Sequence, residues 1–301
     1  DADGLKSKKI IFADDKVVSP GFINMLSWAV DDLIIDGRSQ GDIRQGVTLE
    51  VFGEGVSMGP LNSEMQKDRT ANGLGIGEVD YDLNWITLGD YLQFLENKGV
   101  SPNVASFVGA TTLRVHQIGY EDRPPTKQEL DSMKLLVRQA MEEGAMGIGS
   151  SLIYAPAFYA STDELIEICK VASEYGGIYT SHLRSEGNRF LESVDEFLKI
   201  ASEANIDSEI YHLKAGGKEN HYKLDLVIKK IDSARAAGLN ITADMYTYTA
   251  GATGLDASMP PWVQEGGYSE WKKRLQDPEI RKKVVKEINT PTDEWENLYL
   301  Q

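Results

Sequence analysis

The sequence predicts a TIM-like (β/α) barrel of the α/β class, on three observations. Strand-like and helix-like segments alternate from about residue 17 onward, the mark of a parallel sheet with helical cover. Seven strand–helix units follow one another without a clear break, which favours a barrel over an open sheet. Two of the four histidines, His182 and His212, close successive strand-like runs. A barrel brings such strand ends together at one mouth.

Each element rests on its residues. Residues 17–25 form a first strand, interrupted by Pro20-Gly21, and residues 47–53 (Val-Thr-Leu-Glu-Val-Phe-Gly) a clearer second. Residues 103–109 are the third, and the glycine-rich residues 144–151 the fourth. Residues 177–182 (Gly-Ile-Tyr-Thr-Ser-His) and 207–212 (Asp-Ser-Glu-Ile-Tyr-His) are the fifth and sixth, and residues 240–246 the seventh. Helices fill the gaps. Thr126-Lys-Gln-Glu129 and Ser161-Thr-Asp-Glu164 have capping-box spacing, where a hydroxyl and a carboxylate satisfy free N–H groups at a helix start. Phe190, Val194, Phe197, Leu198 and Ala201 share one helical face. So do Leu224, Val227, Ile228 and Ile231, with Gly238 placed to end that helix. The eighth strand that closure needs is not legible; a loop over residues 251–267 and a charged helix over 270–288 follow instead.

Composition narrows the function classes. The chain has 31 Lys and Arg against 47 Asp and Glu, a net charge of −16. That balance argues against nucleic acid or an anionic membrane as the main partner. The single cysteine, Cys169, sits in an apolar helical pattern and reads as core, so no intramolecular disulfide forms. No run of eighteen apolar residues spans a membrane, and no signal-like start is present. The chain opens on Asp1 rather than methionine, so a native N-terminal segment is expected to precede it. Two neutral imidazoles on neighbouring strands suit zinc. His116, in a loop after the third strand, is a weaker candidate for the mouth, and His221 reads as solvent-facing.

Four segments carry a more specific pattern: Val18-Ser-Pro-Gly-Phe-Ile-Asn24, Gln45-Gly-Val-Thr48, Ser181-His-Leu-Arg184, and the stretch from His212-Leu-Lys-Ala-Gly to Thr242-Ala-Asp-Met-Tyr-Thr-Tyr-Thr-Ala-Gly251. Tyr154-Ala-Pro-Ala-Phe-Tyr159 fits with them. Together they resemble the N-acyl-D-amino-acid deacylase (D-aminoacylase) branch of the amidohydrolase superfamily. The resemblance implies a metal-bearing barrel over residues 17–301, incomplete at its C-terminal end. Residues 1–16 would be a remnant of a small β-sandwich or a leader. It implies that His182 and His212 are metal ligands, and that Lys214 and Tyr246 lie near the substrate. Three departures are visible. Asn24, Leu26 and Trp28 stand where the family carries an aspartate and a His-x-His pair. Gly53-Glu-Gly-Val56 stands where the D-aminoacylases place a cysteine ligand. The family's catalytic aspartate follows strand eight, beyond residue 301.

A zinc hydrolase needs about three protein ligands and an open position for water. Glu54 takes the cysteine's place as third ligand, with Glu50, on the same face, in reserve. A carboxylate ligand shifts preference towards manganese or iron, so one divalent ion is expected, zinc first. Asp244 is the catalytic candidate for proton transfer, or alternatively a partner that orients a histidine or lysine. Arg184 and Lys214 each follow a histidine by two positions and are candidates for a substrate carboxylate, or for ion pairs with Glu186 or Asp244. Tyr246 and Tyr248 are candidates for substrate or oxyanion contact. The expected reaction is hydrolysis of the amide C–N bond of an N-acyl-amino acid, D-configured by the resemblance, or of a related small amide. A peptide, cyclic amide or ester is the alternative substrate. A non-catalytic binding protein that lost the His-x-His pair is the alternative class.

Overall fold

The structure is a computed structural model that describes residues 6–72, 83–289 and 298–300. β1 (Phe22–Asn24), β2 (Val47–Phe52) and β3 (Asn103–Ser106) pair in parallel in that order. β4 (Val108–Gly109), β5 (Gly147–Ser151), β6 (Ile178–His182), β7 (Asp207–Ile210) and β8 (Ile241–Ala243) form a second parallel ladder, also in chain order. β3 and β4 are halves of the run expected as one strand. The break falls at Phe107, whose N–H donates to the Phe52 carbonyl at 2.8 Å, so the two ladders continue one another. The architecture is therefore α/β with parallel strands in sequential order, as the sequence predicts. Among the described residues no ladder joins β8 back to β1. Gly251–Thr253 and Leu298–Leu300 pair in a separate parallel ladder and extend neither sheet.

Helices cover the outer face. Lys127–Glu142 starts on the complete capping box of Thr126 and Glu129. Thr162–Glu174 starts on half of one. Ser161 accepts the Glu164 N–H at 3.1 Å, but the Glu164 carboxylate turns inward to Arg114 at 2.7 Å, in an ion pair buried on both sides. A buried guanidinium without that partner would cost several kcal/mol, roughly, so the pair outcompetes the cap. Phe190–Ala204 buries Phe190, Val194, Phe197, Ile200 and Ala201. Each large apolar side chain buried this way contributes about 1.5–3 kcal/mol. Phe197 stacks on Tyr179 of β6 at 5.5 Å, which locks helix to strand. Lys223–Ala236 ends before Gly238, whose φ of +102° suits glycine. Cys169 is free and fully buried.

Two expectations need revision. The first strand shrinks to three residues, because Pro20 withholds an N–H from the ladder. The charged helix divides into Tyr268–Arg274 and Pro278–Ile288, because Pro278 cannot continue a helix but starts one well. Of residues 1–16, numbers 1–5 lie outside the described residues and 6–16 contain no strand. Among the described residues no helix is long and apolar enough to cross a membrane.

Candidate metal centre

Glu54, His182 and His212 converge at the C-terminal ends of β2, β6 and β7. One ligand atom from each lies within 4.8 Å of the other two. Glu54 Oε1 is 3.2 Å from His182 Nδ1 and 3.7 Å from His212 Nε2. The imidazoles meet edge to face with centroids 4.5 Å apart. All three side chains are largely buried.

The backbone explains this convergence. Glu54 stands between Gly53 and Gly55, with φ of +104° and +70°. A Cβ on Gly53 would meet the Phe107 carbonyl oxygen at 2.4 Å, and one on Gly55 the Ser151 Cβ at 2.6 Å. Only glycine fits either position, so the chain leaves β2 in a tight turn that aims Glu54 across the strand ends. His182 is the last residue of β6. The sequence pattern places His212 at the end of its strand, but β7 stops at Ile210. The chain turns at His212 with φ of +37°, a left-handed conformation costing a non-glycine residue about 1–2 kcal/mol. Asp244 supports that turn: its Oδ1 accepts the His212 N–H at 2.5 Å, and its carbonyl accepts the Leu213 N–H at 3.0 Å.

The charges interlock. Burial would raise the Glu54 carboxyl, but the His182 hydrogen bond and the neighbouring His212 imidazole outweigh it and hold the pKa at about 2. Glu186 is held at about 2 against the same burial cost by the His182 charge, a hydrogen bond with His212 and the Lys214 charge. Burial would lower His212, but Glu186 and Glu54 push it up to about 9. The metal-free centre thus sets the Glu54 and Glu186 carboxylates against a ring of nitrogen groups, with His212 most strongly raised. The donor set fits a divalent ion: two imidazoles and a carboxylate from three rigid strand ends, with His182 Nε2 buried and without a hydrogen-bond partner.

The remaining candidates fall into different places. Lys214 Nζ donates to Glu186 Oε1 at 2.7 Å, touches His212 Nδ1 at 2.9 Å and lies over the Tyr246 ring at 5.6 Å. Tyr246 stacks on the exposed Tyr248 at 4.7 Å and faces His212 at 6.4 Å. Arg184 points away from the triad. Its Nε and Nη2 pair with Glu196, and its Nη1 and Nη2 donate to the Phe158 and Ala160 carbonyls. Glu50, fully buried, accepts hydrogen bonds from Ser27 and Ser39 and stands outside the triad. Asp244 Oδ2 is buried without a hydrogen-bond donor. His116 lies on the helix Ala110–Ile118, not in a loop, beside Gln117. His221 is exposed.

Three further residues touch the centre. Glu186 lies 2.9 Å from His212 Nδ1 and 4.0 Å from His182 Nε2; the sequence marks it only as an ion-pair partner, although it follows His182 by four positions. Trp28 Nε1 donates to Glu54 Oε2 at 2.9 Å, a link that no local pattern announces. Tyr154 meets His182 edge-on at 5.4 Å; the Tyr154-Ala-Pro-Ala-Phe-Tyr159 motif is its signal.

No family model matches the chain. Three curated relatives from Alcaligenes xylosoxydans xylosoxydans do. A D-aminoacylase is 33% identical over 79% of this chain and 49% of its own length. An N-acyl-D-aspartate deacylase is 31% identical over 82% and 49%, and an N-acyl-D-glutamate deacylase 30% over 80% and 49%. The chain therefore spans about half the length of these relatives. Among solved structures, a D-aminoacylase with copper superposes with a TM-score of 0.73 at 32% identity, over 83% of this chain and 52% of that one. A D-aminoacylase described by its binuclear metal centre, with one-metal activation and second-metal attenuation, gives 0.73 at 30% identity over the same shares. An N-acyl-D-glutamate deacylase from Bordetella bronchiseptica, bound to zinc and a phosphonate inhibitor, gives 0.67 at 27% identity over 76% and 48%. Shared sequence and close superposition make this chain a homologue, over about half their length, of the D-aminoacylase and N-acyl-D-amino-acid deacylase amidohydrolases.

Proposed function

We propose that the chain forms the metal-bearing barrel of a hydrolase that cleaves the amide C–N bond of an N-acyl-D-amino acid. One divalent ion, zinc by preference, is held by Glu54, His182 and His212. The observation that carries this reading is the convergence of these three buried side chains at strand ends. The relatives' names supply the substrate class. A bound ion would polarise the amide carbonyl and make water nucleophilic near neutral pH.

The chain's own residues do the rest. Glu186 accepts a hydrogen bond from the His212 Nδ1–H, which fixes the tautomer that presents Nε2. Asp244 pins the His212 turn through Oδ1, and its Oδ2 is the acceptor we assign to proton transfer. Beside it, burial and the Asp244 charge hold the Glu209 carboxyl above the usual carboxylate range. Lys214 borders the centre, with Tyr246 beside it and Tyr248 stacked on Tyr246. Their ammonium and hydroxyls suit the carboxylate of an amino-acid substrate. Arg184 is assigned to the scaffold, since its guanidinium is engaged by Glu196 and two carbonyls.

Elemental analysis tests the reading, on protein purified without added metal, alongside hydrolysis of a panel of N-acetyl-D- and L-amino acids. About one zinc, manganese or iron per chain, lost in His182→Ala, is the expected result. Leu26 and Trp28, in place of the His-x-His pair, favour one ion over two. No metal in either protein after incubation with zinc would sink the proposal and favour a ligand-binding barrel.

A further inference from the structure

We infer that Trp28 is a positioning residue that makes Glu54 a one-oxygen ligand. The inference rests on the metal reading above and deepens it. The two oxygens of Glu54 face different partners. Oε1 turns to the imidazoles, 3.2 Å from His182 and 3.7 Å from His212, while Oε2 accepts the Trp28 indole N–H at 2.9 Å. A carboxylate turns easily about its last torsion, so burial alone does not fix which oxygen faces an ion. The indole removes that freedom. It donates and cannot accept, so it holds Oε2 without competing for a cation.

Trp28 is itself held. The Ser27 N–H donates to the Val51 carbonyl at 2.9 Å, the Ser27 hydroxyl to Glu50 at 2.8 Å, and the Ala29 N–H back to the Ser27 hydroxyl at 3.2 Å. The buried, serine-bonded Glu50 thus anchors the stretch that carries Trp28. The indole is 42% exposed, so its N–H reaches inward while its ring stays at the rim. Glu50 and Trp28 then act in series, since Glu50 fixes the segment and Trp28 fixes the oxygen.

Two measurements test this. The first needs no variant at Trp28: indole ¹H–¹⁵N spectra of metal-free wild type and Glu54→Gln. One indole N–H should lie downfield in wild type and move upfield in Glu54→Gln, where a carboxylate no longer accepts. The second is zinc affinity, by competition with a chromophoric chelator, for wild type and Trp28→Phe. Trp28→Phe keeps a ring and loses the donor. It should weaken zinc about 10–100-fold at unchanged stoichiometry. Equal affinity in the two proteins, or no indole signal that responds to Glu54→Gln, overturns the inference and leaves the metal site standing. No zinc binding by wild type overturns the metal reading and this role with it. The metal-free spectra then tell the two failures apart, because they report the indole bond whether or not zinc binds.

Discussion

His182-Leu-Arg184 and His212-Leu-Lys214 are spelled alike: a histidine, a leucine and a cation at the end of a strand-like run. The fold treats them differently. β6 runs as far as His182, and Arg184, two residues on, reaches outward to Glu196 on the following helix. β7 stops two residues before His212, and the chain turns there with positive φ. That turn swings Lys214 back onto His212 and Glu186. One cation ties the scaffold and the other borders the centre. The difference lies in the backbone, and Asp244 maintains it by accepting the His212 N–H.

The largest effects should come from breaking each side of this comparison. Arg184→Ala strands the Glu196 carboxylate, which keeps Thr162 as a donor. Both side chains of the pair are under one-fifth exposed, so unfolding in urea should show a loss of about 3 kcal/mol. Zinc affinity should be unchanged; a tenfold loss would mean that Arg184 serves the centre after all. Asp244→Ala should do the reverse. Stability should fall by about 1–2 kcal/mol, as for a lost cap, and zinc affinity by about 10–100-fold. Asp244→Asn keeps an acceptor at Oδ1 and should retain most of the affinity, which separates the turn-holding role from proton transfer. If Asp244→Ala binds zinc like wild type, His212 does not need that turn.

Legibility follows the same division. The strand order, most of the helix faces and the pair His182–His212 are readable, because hydrophobic period and strand-end position are local properties; Ile228, expected on an apolar helix face, is exposed. Glu54 is readable only through the resemblance, yet its flanking glycines carry the reason, since their missing Cβ atoms let the turn form. Glu186 is not readable as a member of the centre, and Trp28 is readable only as the residue at a lost histidine's position, not as a partner of Glu54. Glu186 arrives because the loop after β6 folds over His212, and Trp28 because β1 lies beside β2. Both depend on tertiary placement. The opposite fates of Arg184 and Lys214 are hidden too, because neither the length of β7 nor the positive φ at His212 is written in a His-Leu-cation pattern.

The proton on His212 offers a smaller and finer test. Its pKa rises from an ordinary 6.5 to about 9 in the folded chain. A raised value means that the folded state binds the proton more tightly. The resulting stability is present in full below about 6.5 and is lost as pH rises through about 9. Glu54 and Glu186 are depressed to about 2, so their contribution is present above about 4.5 and is lost as pH falls towards 2. Metal-free protein should therefore melt highest between about pH 4.5 and 6.5, then lose roughly 3 kcal/mol by pH 9. Zinc must displace the His212 proton, so the stabilisation it confers should grow over the same alkaline range. Glu186→Gln should flatten the metal-free decline by removing the largest partner that raises His212. An unchanged decline in Glu186→Gln would show that another group titrates there.

Lys214→Met is the mildest change and the sharpest contrast with Arg184→Ala. Lys214 is 28% exposed and borders Glu186, which keeps His212 as a second partner. The substitution removes one partly solvated ion pair, and stability should change by less than about 1 kcal/mol. The methionine keeps the apolar stem against Tyr246, so the aromatic face should stay in place. What should change is recognition. If the ammonium holds a substrate carboxylate, KM for an N-acetyl-D-amino acid should rise about tenfold with kcat little altered, since the lost contact forms equally in ground and transition states. The corresponding N-acetyl amine, which lacks the carboxylate, should be turned over equally by both proteins. A fall in kcat on both substrates would instead place Lys214 with Glu186 in orienting His212. The two cations that follow the two histidines would then both be structural, one on the helix side and one on the metal side.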